Sequence, residues 1–243
     1  MQMDNFRRKT GFTPDLYEYV SDTLMFNEFS YGLDFAGTLN SWKTRARLEQ
    51  NENYSKIDFT YTLNRKFMKG KKSFSIRAFA ASFISKKENT DLSLYQLRLS
   101  SATGPTEYLF EQAFLGRSET KGFFGAQISE QFGGFKTITP VGNTDQWLAA
   151  VNFTSEIPFV KYLNVFADLG TYKDPFGNSS SLQYNAGFFI SLGGTASVYF
   201  PLLYSDEILR YIRDNNIKYG ELIRFSIDFN RLHPFRLVKN LSF

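Results

Sequence analysis

From about residue 27 almost to the carboxyl end, apolar and polar side chains alternate with a period of two, the signature of extended chain with two unlike faces. Within residues 56–64, Ile57, Phe59, Tyr61 and Leu63 share one side, and Lys56, Asp58, Thr60, Thr62 and Asn64 share the other. Residues 73–85 repeat the pattern, with Phe74, Ile76, Ala78, Ala80 and Ile84 opposite Ser73, Ser75 and Arg77. Further strands are predicted where Tyr95, Leu97 and Leu99 oppose Gln96, Arg98 and Ser100, and where Trp147, Ala149, Val151 and Phe153 alternate with small or polar residues. The same reading holds for Leu163, Val165, Ala167 and Leu169, for Tyr184, Ala186, Phe188 and Ile190, and for Ile223, Phe225, Ile227 and Phe229.

Turn chemistry separates these runs at residues 51–53, 69–72, 86–90, 104–105, 133–134, 174–178 and 193–194. The rhythm predicts about 10–12 strands, several of them long enough for the roughly 9–11 residues with which a tilted strand crosses a bilayer. Two short helices are expected. Thr13 caps one that starts at Pro14, with Asp15 and Glu18 near its positive end. Ser205 caps the other over residues 206–214, where Ile208, Leu209 and Ile212 share a side and Arg210 and Arg213 fall near the carboxyl end. The expected organisation is an amino-terminal segment with a short helix, residues 1–26, followed by one β domain, residues 27–243.

Alternation alone fits a soluble sandwich as well as a membrane barrel, and the content of the polar face separates the two. A sandwich turns that face to bulk water and carries many Lys and Glu on it. Here it is mostly Ser, Thr, Asn, Gln and Gly, with Arg77, Arg98 and Arg224 and Asp58, Asp168 and Asp228 among them. Charges of both signs among small polar groups suit a crowded lumen in which each finds a partner, so these six form the candidate polar network. Aromatic residues make up 18% of the chain while mean hydropathy is only -0.31, as expected if rings sit at polar/apolar boundaries. Trp42, Trp147, Tyr162, Tyr184 and Tyr199, near strand ends, are candidates for such girdles. The predicted fold is an all-β, closed antiparallel transmembrane β-barrel in a bacterial outer membrane, in contact with its lipid.

The remaining composition narrows the chemistry. Cysteine is absent, which removes disulfides and thiolate metal sites. The formal charge of +4 falls mainly in turns and on alternating strand faces, so no nucleic-acid partner is expected. No apolar run reaches the length of a transmembrane helix, and the first ten residues lack the apolar core of a signal peptide. Either an export signal has been removed or the sequence is part of a longer protein.

The segment Glu107-Tyr-Leu-Phe-Glu-Gln-Ala-Phe-Leu-Gly-Arg-Ser-Glu119, with Gly122-Phe-Phe-Gly125 and Gly133-Gly-Phe135, resembles the carboxyl-terminal region of M1-type metallopeptidase-like proteins of Gram-negative bacteria. So do Trp147-Leu-Ala-Ala-Val-Asn152, Ala167-Asp-Leu-Gly170 and residues 219–230, the similarity spanning roughly residues 95–240. In that family a peptidase-like part precedes a β-rich membrane region. The resemblance therefore implies an anchoring barrel and a peptidase-like domain or protein as partner. The zinc site of such peptidases needs His-Glu-x-x-His, and with His233 the sole histidine that motif is absent, so no zinc ligand, cofactor or catalytic residue carries over. Leu241-Ser-Phe243 also resembles the aromatic carboxyl end read by barrel-assembly machinery.

Three function classes remain open: a membrane anchor or scaffold, a channel, and a barrel enzyme of lipase or protease type. The enzyme would rely on His233 as its base. Glu107, Glu111, Glu119 and Glu130 cluster in sequence and are expected to serve hydrogen bonding or ion pairing. Lys69, Lys71 and Lys72 offer a basic turn to lipopolysaccharide or to water.

Overall fold

Most of the alternating segments form strands. The computed structural model describes residues 2–3, 24–25, 27–68, 72–88, 91–174 and 180–229. β1 (Gln2–Met3) and β2 (Leu24–Met25) pair as a small separate ribbon. A nine-stranded sheet follows: β3 (Asn27–Ala36), β4 (Asn40–Gln50), β5 (Tyr54–Phe67), β6 (Lys72–Lys86), β7 (Trp147–Glu156), β8 (Leu163–Lys173), β9 (Ser180–Leu192), β10 (Ala196–Tyr204) and β11 (Arg224–Ile227). Each strand pairs antiparallel with its neighbour in the chain, so the sheet is a plain meander. Its margins, β3 and β11, are not joined to each other among the described residues. The helix expected at Thr13, the terminal aromatic residues, His233, Lys69 and Lys71 all lie outside the described residues.

A meander has two ends, and here they differ. At one end the connections β3–β4, β5–β6, β7–β8 and β9–β10 are short turns. The other end carries the turn at 51–53, the segment 174–179, two helices and one long excursion, residues 87–146, between β6 and β7. The two stalks of this insert leave the sheet side by side: Ser82 is register partner to Trp147, and the Phe83 amide donates to the Gln146 carbonyl at 2.8 Å.

The insert folds back against one face of the sheet. It has little regular structure beyond a 3₁₀ turn at Gly104–Thr106, a single helical turn α1 (Gly122–Gly125) and isolated bridges such as Leu97–Thr144 and Ser100–Phe135. The alternation at Tyr95, Leu97 and Leu99 thus belongs to an extended segment of the insert and not to a sheet strand. Its alternate side chains are buried because they pack on the sheet from within. Leu97, Leu99 and Phe135 meet Phe79, Leu148 and Tyr172 of the sheet in one apolar cluster; Tyr95, Tyr108 and Phe132 meet Tyr54 in a second. Gly170 of β8 makes this seating possible, since a Cβ there would stand 2.4 Å from Leu99 Cδ2.

α2 (Asp206–Asp214) and α3 (Tyr219–Leu222) lie over the same end, and Ile208, Ile212 and Leu222 complete the first cluster. α2 covers the residues expected from sequence and packs as a loop helix. Asp206 and Glu207 stand in its first turn and Arg213 in its last, matching the helix dipole. The Ser205 hydroxyl does not cap it, however, and bonds instead to the Gln183 side chain. The insert also reaches the margin of the sheet: Phe225 of β11 donates to the Ala126 carbonyl at 3.2 Å and accepts from the Ile128 amide at 2.8 Å.

Candidate functional site: a filled polar interior

Along several strands polar side chains are buried while their apolar neighbours are exposed. In β5, Lys56 and Asp58 are 3% and 4% exposed while Ile57 and Phe59 are 44% and 48% exposed. In β7 and β8, Asn152, Asn164 and Asp168 are buried while Val151, Val165 and Leu169 stand out. The register explains this, because cross-strand partners share a face. One inner row runs Asp34, Lys43, Thr62, Arg77, Asn152, Asp168, Asn185, Tyr204 across eight strands. The next row outward runs Leu33, Thr44, Tyr61, Ala78, Val151, Leu169, Tyr184. Outer rings stack along their rows, Phe35 on Trp42 at 6.1 Å and Phe74 with Phe153 at 6.2 Å. Among the proposed girdle residues, Trp147, Tyr162 and Tyr184 are exposed, but Tyr199 faces inward, bonded to Ser226 and lying beside Lys136.

The insert is fastened to the inner row. Lys136, itself buried, sends its ammonium to Glu130 Oε1 at 2.8 Å and the Gly134 carbonyl at 2.7 Å, with Asp168 Oδ1 at 3.8 Å. Asp168 also accepts from the Lys136 amide at 3.1 Å and from Asn152 Nδ2 at 2.9 Å. The Asn185 amide, oriented to satisfy both its ends, donates to Asp168 Oδ2 at 2.8 Å and accepts from the Thr137 amide at 3.1 Å. Arg77 donates to Asn152 Oδ1 at 2.9 Å and to the Phe132 carbonyl at 2.8 Å. Gly134, at φ +73°, sits so close beneath them that a Cβ would meet Asn152 Oδ1 at 2.7 Å and Arg77 Nη1 at 2.9 Å. Burial works against the charge on Lys136, but Asp168 and Glu130 outweigh it and push its pKa up, so the ammonium persists.

A second fastening joins β4 and β5 to the insert. Glu49, fully buried, accepts from Tyr108 Oη at 2.8 and 2.9 Å and from Tyr54, and lies 3.3 Å from the Lys56 ammonium. Lys56 reaches on to the Tyr95 carbonyl at 3.2 Å. Burial first, and then the negative Glu49, push the Tyr108 phenol well above its ordinary pKa and keep it a donor. A third contact is Arg47, whose Nε meets Asp58 Oδ2 at 2.6 Å while Nη1 approaches Glu111 at 3.5 Å.

Of the six residues proposed from sequence, Arg77 and Asp168 come together through Asn152, and Asp58 is the buried partner of Arg47. Arg98 lies on the insert and bonds to the Ser93 carbonyl at 2.9 Å. Arg224 and Asp228 stand apart on and beyond β11, where the Asp228 amide bonds to Thr195. Glu107 pairs with Arg117 at 2.8 Å, Glu111 with both Arg45 and Arg47, and Glu130 with Lys136. Arg47, Glu49 and Asn152 were missed although they obey the period of two. Lys136 has no such signal, because it lies in no strand.

The arrangement locks two parts of one chain together through ion pairs and hydrogen bonds. Among the described residues no cluster of His, Cys, Asp and Glu is suited to a metal ion. At the short-turn end the interior opens into a cavity of about 530 Å³ lined by Ser73, Ser75, Thr154, Ser191 and Asn164, among others. No family model, no curated protein and no solved structure matches this chain.

Proposed function

We propose that the sheet is the wall of a closed transmembrane β-barrel of a bacterial outer membrane, that residues 87–146 plug it, and that it anchors or scaffolds a metallopeptidase-like domain. Inverted burial is the observation that carries this reading: the strands turn charges and amides in, beside the apolar side chains that meet the insert, while their outward rows are mainly aliphatic and aromatic. In water each large exposed side chain forgoes roughly 1.5–3 kcal/mol of burial, and so broad an apolar face marks contact with lipid or a partner. In lipid the same face is matched to its solvent. β5 and β6, 14 and 15 residues long, exceed what a tilted strand needs to cross.

The same physics favours closure. Unpaired backbone groups along β3 would cost several kcal/mol each in hydrocarbon. β3 and β11 run in the same direction, so one further strand between them makes every pairing antiparallel and the total even, as single-chain bacterial barrels favour. Residues 1–26 would then precede a barrel domain of residues 27–243.

The filled interior favours an anchor over a channel, since ion pairs and two apolar clusters occupy what an open pore leaves to water. The peptidase-like partner rests on the sequence resemblance. The test is refolding into detergent micelles and lipid vesicles, read by circular dichroism, unheated gel mobility and planar-bilayer conductance. A heat-modifiable, β-rich, vesicle-inserted and non-conducting species supports the anchor. Steady conductance makes it a channel, and a β-rich monomer soluble without detergent overturns the barrel.

A further inference from the structure

The two ends of the sheet differ in charge as well as in length of connection. At the short-turn end, adjoining strands and turns bring together Arg65 and Lys66 at the close of β5, Lys72 at the start of β6 and Lys161 in the β7–β8 turn. Lys72 Nζ reaches the Val160 carbonyl at 3.0 Å, which fixes the two turns side by side. Glu156, 3.8 Å from Lys72, Asp228, beside Thr195, and Asp34, the register partner of Lys43 on the inner row, are the acids of that end among the described residues. At the opposite end acids outnumber bases, with Glu52, Glu88, Asp145, Asp174, Asp206 and Glu221 among them.

The cations of the short-turn end stand among apolar groups. Arg65 and Lys72 share the outward face with Phe67, Phe74 and Phe153, whose rings follow one another at 6.3 and 6.2 Å. Beyond them the turns expose Leu39, Met68, Phe159 and Tyr162, with Phe159 94% exposed. A protein surface facing water gains little from setting exposed rings beside cationic side chains. A membrane interface matches both: rings take the headgroup boundary, and long cationic side chains snorkel to phosphates.

We propose that the short-turn end is seated among anionic lipid headgroups, held by Arg65, Lys66, Lys72 and Lys161, and that the opposite end shows no such preference. This rests on the barrel reading given above. Each cation near an anionic lipid surface contributes up to about fivefold in affinity, reduced by salt over a Debye length of about 8 Å at physiological ionic strength.

The chain carries its own reporters, since its two tryptophans lie on the outward face near opposite ends: Trp42 beside Phe35 at the short-turn end, and Trp147 at the first residue of β7. Trp147→Phe leaves only Trp42, and Trp42→Phe leaves only Trp147. Each protein is refolded into vesicles, and quenching by acyl-brominated phosphatidylglycerol is compared with quenching by acyl-brominated phosphatidylcholine. Trp42 is expected to favour phosphatidylglycerol several-fold, with the preference falling as salt rises, and Trp147 to be quenched equally by both.

Changing Arg65, Lys66, Lys72 and Lys161 together to Gln should bring the Trp42 preference close to unity. Changing Lys87, Arg210, Arg213 and Lys218 to Gln, an equal change in net charge at the other end, should leave it intact. Equal quenching of Trp42 by both lipids, or a preference that survives the first set of changes or disappears with the second, overturns the proposal. Absence of quenching of either tryptophan by either lipid overturns the barrel reading itself.

Discussion

Replacing Lys136 by methionine tests whether ion pairing fastens the insert to the sheet. The substitution keeps the aliphatic stem and removes the ammonium from Glu130, Asp168 and the Gly134 carbonyl. Glu130 is about half exposed on its side chain and rehydrates at little cost. Asp168 has no such escape, being fully buried; it retains its bonds from Asn152 and the backbone amide but loses its nearest cation. Stranding one member of a buried pair costs about 3–5 kcal/mol, and the retained hydrogen bonds place this case at the lower end, near 3 kcal/mol. With a urea slope near 3 kcal/mol/M, the micellar unfolding midpoint should fall by about 1 M. The double variant Lys136→Met/Asp168→Asn should recover much of that loss, because no bare charge is then left inside. Limited proteolysis should cut the insert of Lys136→Met faster than that of the parent while the strands stay resistant. Should the single substitution cost the same whether residue 168 is Asp or Asn, the two charges are uncoupled and the reasoning fails.

Other expectations follow from the same contacts. Phe59→Arg and Val151→Arg, on the outward face, should each cost about 2–4 kcal/mol in vesicles if the site lies near the bilayer midplane; a water-soluble protein would tolerate both, so unchanged folding in vesicles counts against the lipid-facing assignment. Gly134→Ala should destabilise by about 1–3 kcal/mol through its positive φ and its collision with Asn152 and Arg77, measured by the same urea midpoint. Replacing residues 91–144 by a short Gly/Ser loop should leave a less stable sheet that conducts in planar bilayers; a silent bilayer means the insert is not what blocks the lumen. Lys136 and Tyr108 both have raised pKa values in the folded chain, so the stability they contribute is fully present below their unfolded values of about 10 and is lost as pH climbs through the folded ones. The unfolding midpoint should therefore show no dependence on these groups from about pH 6 to 9 and should fall above about pH 10.

A period of two tells which residues share a face but not which way that face points. Lys56 and Asp58 were readable as companions, and the scarcity of exposed-type charges around them suggested an interior; the coordinates supply the burial. Hairpin turns such as residues 51–53 and the helix over Asp206–Asp214 were legible because local chemistry sets them. The insert was not. Its backbone is irregular, its apolar residues answer to partners far away in sequence, and its one extended stretch, Tyr95 to Leu99, mimics a strand because alternate side chains pack on a second layer. Tyr199 escaped for a related reason, since an aromatic near a strand end reads alike whether it meets lipid or leans toward Lys136. The inner network was legible where it lies on strands and invisible at Lys136, whose position depends on Gly134 and Asp168 rather than on any repeat.

The stalks of the insert leave the sheet a single backbone bond apart, Phe83 to Gln146, and both leave at the same end. Topologically the insert is therefore held on a short double tether, and in the closed barrel proposed above it would be a cork that is never threaded through the wall. Such a cork could be seated after β6 and β7 have already paired and withdrawn without any of the β6–β7 pairs parting, once its contacts with α2, α3 and β11 are released. On that reading assembly of the insert is separable from assembly of the wall, and the hydrogen bonds and ion pairs of Lys136, Arg77, Tyr108 and Glu111 would be the latch between them.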